Sequence, residues 1–222
     1  MFKGSFPALV TPFKNGELDL ETLKKLVEWH IAEGSHGLVP VGTTGESPTL
    51  THTEHETVVE EVVRAAAGRV PVIAGAGSNN TVEAIRFMQH AEKVGANAAL
   101  VVTPYYNKPT QRGLIAHFTA LHDCCELPII IYNIPGRTGA NIEPETINRL
   151  GELENITMVK EATGSLDQAS EILTGSNLTV LSGDDSLTLP LLSIGGEGVI
   201  SVVGNVIPGD MIKMTVSYLE GR

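Results

Sequence analysis

The sequence predicts a closed (β/α)8 barrel occupying residues 1–222 as a single domain. Three observations predict it. Short β-branched runs alternate eight times with helical stretches, a pattern that gives a parallel sheet covered by helices. The 222 residues divided among eight units leave roughly 28 for each, the length of one strand, one helix and two turns. An open, doubly wound sheet would bring a dinucleotide fingerprint. Gly75-Ala76-Gly77-Ser78-Asn79-Asn80 begins like one and lacks its third glycine.

The expected strands are residues 6–10, 37–41, 70–74, 98–102, 128–132, 157–160, 178–181 and 198–201, each a short apolar run of the kind buried on both faces. The expected helices are 20–33, 52–67, 81–94, 110–124, 144–150, 166–173, 186–194 and 208–219. In the first, Leu23, Leu26, Val27 and His30 share a face; in the third, Ala84, Ile85, Met88 and Ala91 do. Gly34, Gly68, Gly95, Gly175 and Gly195 stand where helices should stop, and Pro144 and Pro208 where they should start.

Composition narrows the function. With 26 Asp+Glu against 15 Lys+Arg the net charge is −11, which argues against nucleic acid as a partner. The apolar runs, such as 127–132, are far shorter than the ~18 residues of a membrane helix. The start does not resemble a signal peptide, so a cytoplasmic protein is expected. The two cysteines, Cys124 and Cys125, are adjacent and read as small apolar residues on a helix in a reducing compartment.

In such barrels the reacting groups stand at the C-terminal ends of strands. Lys160 ends the sixth expected strand in phase with Ile156 and Met158, where desolvation would free its amine to attack a carbonyl; pairing with Glu161 is the plainer alternative. Tyr132 ends the fifth, as a proton donor and acceptor or as a plug for the barrel top. Gly42-Thr43-Thr44-Gly45-Glu46-Ser47 offers hydroxyls and close backbone approach, suited to a small carboxylate. Arg137 could fork onto a second carboxylate. Tyr105 and Tyr106 are open to packing, interface or proton-relay readings. Asp184 and Asp185 read as a helix N-cap better than as metal ligands. His52 and His55 have metal-compatible spacing but are too few for a site, and read better as an exposed helix start.

Taken together, Gly42-Thr43-Thr44-Gly45-Glu46, Tyr132-Asn133-Ile134-Pro135 and Lys160 resemble the pyruvate-dependent class I aldolase and lyase family. Gly136-Arg137-Thr138 and Tyr105-Tyr106-Asn107-Lys108-Pro109 are similar to its dihydrodipicolinate synthase branch; sialic acid lyases usually lack the Gly-Arg-Thr sequence. The resemblance runs the length of the chain. It implies a further helical segment after the eighth barrel helix, whereas this chain ends near the close of that helix, so a barrel without that segment is expected.

The resemblance implies that Lys160 forms a Schiff base with pyruvate, whose carboxylate rests on Thr44. The resulting enamine attacks L-aspartate 4-semialdehyde to give 4-hydroxy-tetrahydrodipicolinate, the first committed step of lysine biosynthesis through diaminopimelate. Tyr132 passes protons, linked through Thr43 to Tyr106 of a neighbouring subunit, and Arg137 holds the semialdehyde carboxylate. Gly183, Asp184 and Ile200 match pocket-lining positions. No metal or organic cofactor is called for, because the lysine is the electron sink. A homo-oligomer built as a dimer of dimers is implied. So is feedback inhibition by L-lysine, at a site containing Ser47, Pro48, His52, His55, Asn79, Glu83 and Tyr105, with Asn79 and Glu83 read as i and i+4 on one helix face. The competing readings are an aldolase acting on N-acetylneuraminate or a keto-sugar acid, with little use for Arg137, and an inactive barrel whose histidines bind metal.

Overall fold

The computed structural model describes residues 2–221. Seven strands form a curled, all-parallel sheet in the order β1 (Gly4–Pro7), β9 (Gly198–Ser201), β8 (Thr179–Ser182), β7 (Ile156–Glu161), β6 (Ile129–Asn133), β5 (Ala98–Val102) and β4 (Ile73–Gly75). The missing stave is the expected second strand. Residues 38–39 bridge Ala8 on one side and Val72 on the other, and so close the ring. Leu9 N–H donates to the Val39 carbonyl at 2.9 Å, and Ile73 N–H to that of Leu38 at 2.9 Å.

This stave never becomes a regular strand, because prolines from three segments meet at it. Pro7, Pro40 and Pro71 flank the seam and have no N–H to give, although each supplies a carbonyl. Val41 then turns into the left-handed region at φ 48°. The other strands lie within three residues of expectation.

Helices α1 (Leu20–Ala32), α2 (His52–Ala66), α3 (Thr81–Lys93), α4 (Gln111–His122), α6 (Pro144–Leu150), α7 (Leu166–Gly175), α8 (Thr188–Ser193) and α9 (Pro208–Leu219) wrap the sheet; α5 (Pro135–Thr138) is one turn after β6. Their starts follow the sequence: Thr51 and Glu54 form a reciprocal capping box on α2, and Asn80 and Ser165 cap α3 and α7. Gly175, expected as a left-handed stop, is instead the last residue of α7. Cys124 and Cys125 lie just past α4 rather than on the helix, half-buried and with no disulfide between them. The sequence reading also passed over the hairpin β2 (Phe13–Lys14) and β3 (Glu17–Leu18). Its turn is Asn15-Gly16, with φ 56° and 85°, the residue pair that a tight hairpin favours.

Strand alternation sorts the core into two layers. Ile130, Tyr132, Met158, Leu181 and Ile200 fill the barrel, while Ile129, Ile131, Val159 and Val180 face the helices, against Phe118, Leu121 and Ile172 among others. The phase that puts Met158 inside puts Lys160 inside as well. No helix among the described residues is long and apolar enough to cross a membrane.

Candidate active site

At the C-terminal mouth of the barrel two chambers meet. The inner one, about 290 Å³, holds Thr44, Tyr132, Arg137, Lys160, Gly183, Asp184 and Asp185 in its wall. The outer one, about 230 Å³, shares Gly42, Thr43, Tyr132, Ile134 and Arg137 with it and adds Ser47, Pro48 and Tyr105.

Lys160 stands directly across the β6–β7 ladder from Tyr132, in register. Its ammonium nitrogen lies 4.0 Å from the centre of the tyrosine ring. The lysine is only 5% exposed, and burial pulls its pKa down to about 8, against the opposing pull of Asp184 and Asp185. Near neutral pH a workable fraction of this amine is therefore uncharged. Burial pushes the Tyr132 phenol up; nearby Arg137 and a hydrogen bond with the Thr43 side chain draw it back.

Gly183 keeps the amine open. A Cβ added there would lie 2.5 Å from the Ala162 Cβ and 3.1 Å from Lys160 Cε, so any side chain would press on the nucleophile's own stem. The neighbouring aspartates divide their work differently from the expected N-cap. Asp184 makes no side-chain cap bond, whereas Asp185 accepts from the Ser201 hydroxyl at 2.5 Å and from the N–H groups of Val202 and Val203 at 3.1 and 3.0 Å. It thereby caps the next short turn, Val203–Asn205, and ties β8 to β9.

The 42–47 loop is tightly wound. Gly45 and Ser47 both donate to the Gly42 carbonyl, Glu46 donates to that of Thr43, and the Thr11 hydroxyl holds the Gly45 carbonyl at 2.6 Å. Arg137 rides on the single turn α5, exposed, and makes no ion pair with any described residue. Ile200 is fully buried in the inner layer with Tyr132 and Leu181; Val202, two residues on, is the side chain in the chamber wall.

Tyr106 lines neither chamber. It is 88% exposed and held at φ 70°. Of the residues expected at a lysine site, Ser47, Pro48 and Tyr105 face the outer chamber. Glu83 is occupied by the Ser78 hydroxyl and by His52, which also approaches Arg86 at 3.2 Å. Asn79 precedes the N-cap Asn80 and is not on the helix, so its pairing with Glu83 is not a helical i, i+4 one; Asn107 donates to its carbonyl at 2.9 Å. His55 is no exposed helix start but a buried ring stacked on Phe87 at 3.9 Å, its pKa lowered by burial to about 4.

Sequence comparison agrees with the geometry. A model of the dihydrodipicolinate synthetase family matches residues 1–222. The chain belongs to this family. It is 68% identical over 225 residues to the 4-hydroxy-tetrahydrodipicolinate synthase of Roseobacter denitrificans, which covers all of this chain and 77% of that protein. The chloride-inhibited dihydrodipicolinate synthase of Acinetobacter baumannii, solved with pyruvate, superposes with a TM-score of 0.96 at 44% identity, over 99% of this chain and 77% of that one. The enzyme of Cyanidioschyzon merolae, solved with lysine bound, gives 0.95 at 43%, over 99% and 76%. The chain is accordingly a lyase on an α/β barrel, as other members of the dihydrodipicolinate synthetase family are. Residues that the sequence reading left out of the site include Ala8, Leu100, Ile134 and Val202, whose apolar character gave no signal beyond their position at or past strand ends.

Proposed function

We propose that the whole chain works as one catalytic barrel that condenses pyruvate with L-aspartate 4-semialdehyde to 4-hydroxy-tetrahydrodipicolinate, the first committed step of lysine biosynthesis through diaminopimelate that the family resemblance implies. One observation carries the reading: a buried, partly neutral amine and a phenol share a chamber with an arginine that forms no ion pair among the described residues.

The chemistry follows from those groups. The neutral Lys160 amine adds to the ketone carbon of pyruvate, and loss of water leaves an iminium. That cation draws electrons from the methyl carbon, which gives up a proton and becomes the nucleophilic end of an enamine. Tyr132, held next to the amine and bonded to Thr43, is placed to move these protons. Thr43 and Thr44, with the wound 42–47 backbone, suit the pyruvate carboxylate. The enamine carbon bonds to the aldehyde carbon of the semialdehyde while Arg137 holds the distant carboxylate. The substrate's own amine then displaces Lys160 from the imine and closes the ring. An aldolase for keto-sugar acids would leave Arg137 without a charge to hold.

Tyr106 supports an assembled form. A tyrosine this exposed, on a backbone turn it would not choose alone, fits a contact with a second copy that completes the proton path. Free L-lysine suits the outer chamber, whose wall includes Ser47, Pro48 and Tyr105; Glu83, its carboxyl held below the usual range by the Ser78 hydroxyl, would be its anionic partner. Turnover of the two substrates, with and without L-lysine, tests all of this. Consumption of both with partial inhibition by lysine is the expected outcome. Pyruvate consumed with a sugar aldehyde and not with the semialdehyde would replace the reading.

A further inference from the structure

Immediately after Tyr132 and Lys160 come Asn133 and Glu161, opposite each other in the same ladder and facing away from the chamber. Both are buried, at 0% and 5% exposure. Behind the sheet they meet a polar cluster that the reaction itself does not use. The Asn133 amide donates to Asn141 Oδ1 at 2.9 Å, to the Ile142 carbonyl at 3.4 Å and to Glu161 Oε2 at 3.3 Å, while its own Oδ1 accepts from Ile142 N–H at 3.1 Å. Gln168 joins from the first turn of α7, taking Asn141 Nδ2 at 2.9 Å and donating to the Ile142 carbonyl at 3.1 Å. Glu161 is completed by Thr163 N–H at 2.8 Å.

The chain between the two ends of this cluster is the loop that carries Arg137. Residues 134–140 leave the sheet at Asn133 and return at Asn141, and the Thr138 hydroxyl bonds to the carbonyls of Ile134 and Ala140 inside the loop. Asn133 thus spends its amide N–H groups and its carbonyl oxygen on closing the neck of that loop and fastening it to the residue behind Lys160. A side chain buried and fully engaged in this way holds one geometry, since each lost bond would leave a buried polar atom without a partner.

We propose that Asn133 is a positioning residue for the second substrate: by closing the neck of the 134–141 loop and tying it to Glu161, it fixes where Arg137 stands relative to the attacking amine. The proposal rests on the reading of Lys160 and Arg137 given above. It deepens that reading, because the distance between amine and guanidinium selects an aldehyde whose carboxylate lies a short, fixed reach away.

The test compares Asn133→Ala and Asn141→Ala with Arg137→Ala. Each protein is assayed by initial rates with both substrates varied, and by borohydride trapping of the pyruvate adduct. A misplaced positioning group raises the KM for the semialdehyde about tenfold in Asn133→Ala and about threefold in Asn141→Ala, with pyruvate KM and trapping changed less than about twofold. Should Asn133→Ala fail to fold, the half-exposed Asn141 decides by the same criterion. Equal rises in both KM values, or a lowered melting temperature with unchanged kinetics, would overturn the proposal and leave a structural cluster. If Arg137→Ala is selective for the semialdehyde and neither asparagine variant is, the proposal alone fails. If Arg137→Ala is itself unselective, the Arg137 reading fails and the proposal goes with it.

Discussion

The mouth of this barrel is made of two unlike kinds of backbone. Along β6 and β7 the chain is free of left-handed residues and, past one bulge between Ile129 and Ile130, runs in register, and it sets Tyr132 and Lys160 side by side with their heads buried. Around the rim it is the opposite: Val41, Glu46, Tyr106 and Lys108 all hold positive φ, between 48° and 70°. Such conformations cost about 1–3 kcal/mol each and persist only where the surroundings impose them. The difference teaches a division of labour. On the proposed roles, the groups that make and break bonds sit on backbone that needs no outside support, whereas the 42–47 loop and the Tyr106 segment, proposed to receive a carboxylate and a second copy, include residues held under strain.

The strand side of the comparison breaks most completely at Lys160. Lys160→Ala is expected to abolish borohydride-trapped pyruvate and to lower turnover by several powers of ten, because no other group splits the reaction into two easier steps. Mass spectrometry showing the adduct on Lys108 instead would move the chemistry to the rim and end the division.

A rim group comes next. Arg137→Ala should cost on the order of 1.5–3 kcal/mol in binding the semialdehyde, as expected for losing hydrogen bonds to a charged group, with little change for pyruvate. Substrate-varied kinetics would show it.

The pH dependence sharpens the contrast at smaller scale. With the Lys160 pKa near 8, the rate of pyruvate trapping should rise with pH through that value and then level off, since only the neutral amine attacks. A profile flat from pH 6 to 9 would mean that the amine is not the titrating group. Stability should move over a different window. His30, His55 and His117 are buried with pKa values lowered to about 4, so the unfolded chain binds more protons than the folded one between about 4 and 6.5. Stability must then fall as pH drops through that range, by on the order of 3 kcal/mol for a single fully buried ring. Thermal unfolding at pH 7 and pH 4.5 measures the loss, and His55→Asn should reduce it.

The smallest effect separates strain that serves the site from strain that only ends a helix. Ala67 caps α2 in the left-handed region at φ 49°, far from the mouth. Ala67→Gly and Glu46→Gly should each stabilise the fold by about 0.5–1 kcal/mol by relieving that conformation. Only Glu46→Gly should also raise the KM for pyruvate, by loosening the 42–47 loop. If both leave kinetics alone, the rim's strain has no bearing on binding.

Much of this was legible in the sequence because period and position are local. The alternation of Ile130, Tyr132, Met158 and Lys160 with their neighbours fixed which side chains enter the barrel, and strand ends named the chemistry. What stayed hidden depends on distant partners. Nothing around residues 37–41 shows that three prolines from separate segments would meet there and deny the stave its ladder. His55 looked exposed because helix starts usually are; its burial comes from Phe87 on another helix. Asp185 looked like a local cap and instead reaches across to the next turn, 17 and 18 residues on.

The chamber's floor and sides are measured out in absent methyl groups. Added β-carbons at positions 75 and 77 would stand 2.3 Å from the Val41 carbonyl oxygen and 2.4 Å from the Val102 nitrogen, and one at 183 would lean on Lys160. Glycine has no smaller residue beneath it, so these walls cannot be carved back by substitution, and every larger residue collides with main chain or with the nucleophile. Room for a bulkier or differently charged aldehyde has to come from wall positions with side chains to change, Leu100, Ile134, Arg137 and Val202 among them. A lineage drifting toward new substrates would therefore leave its record at such places while the glycines stood still.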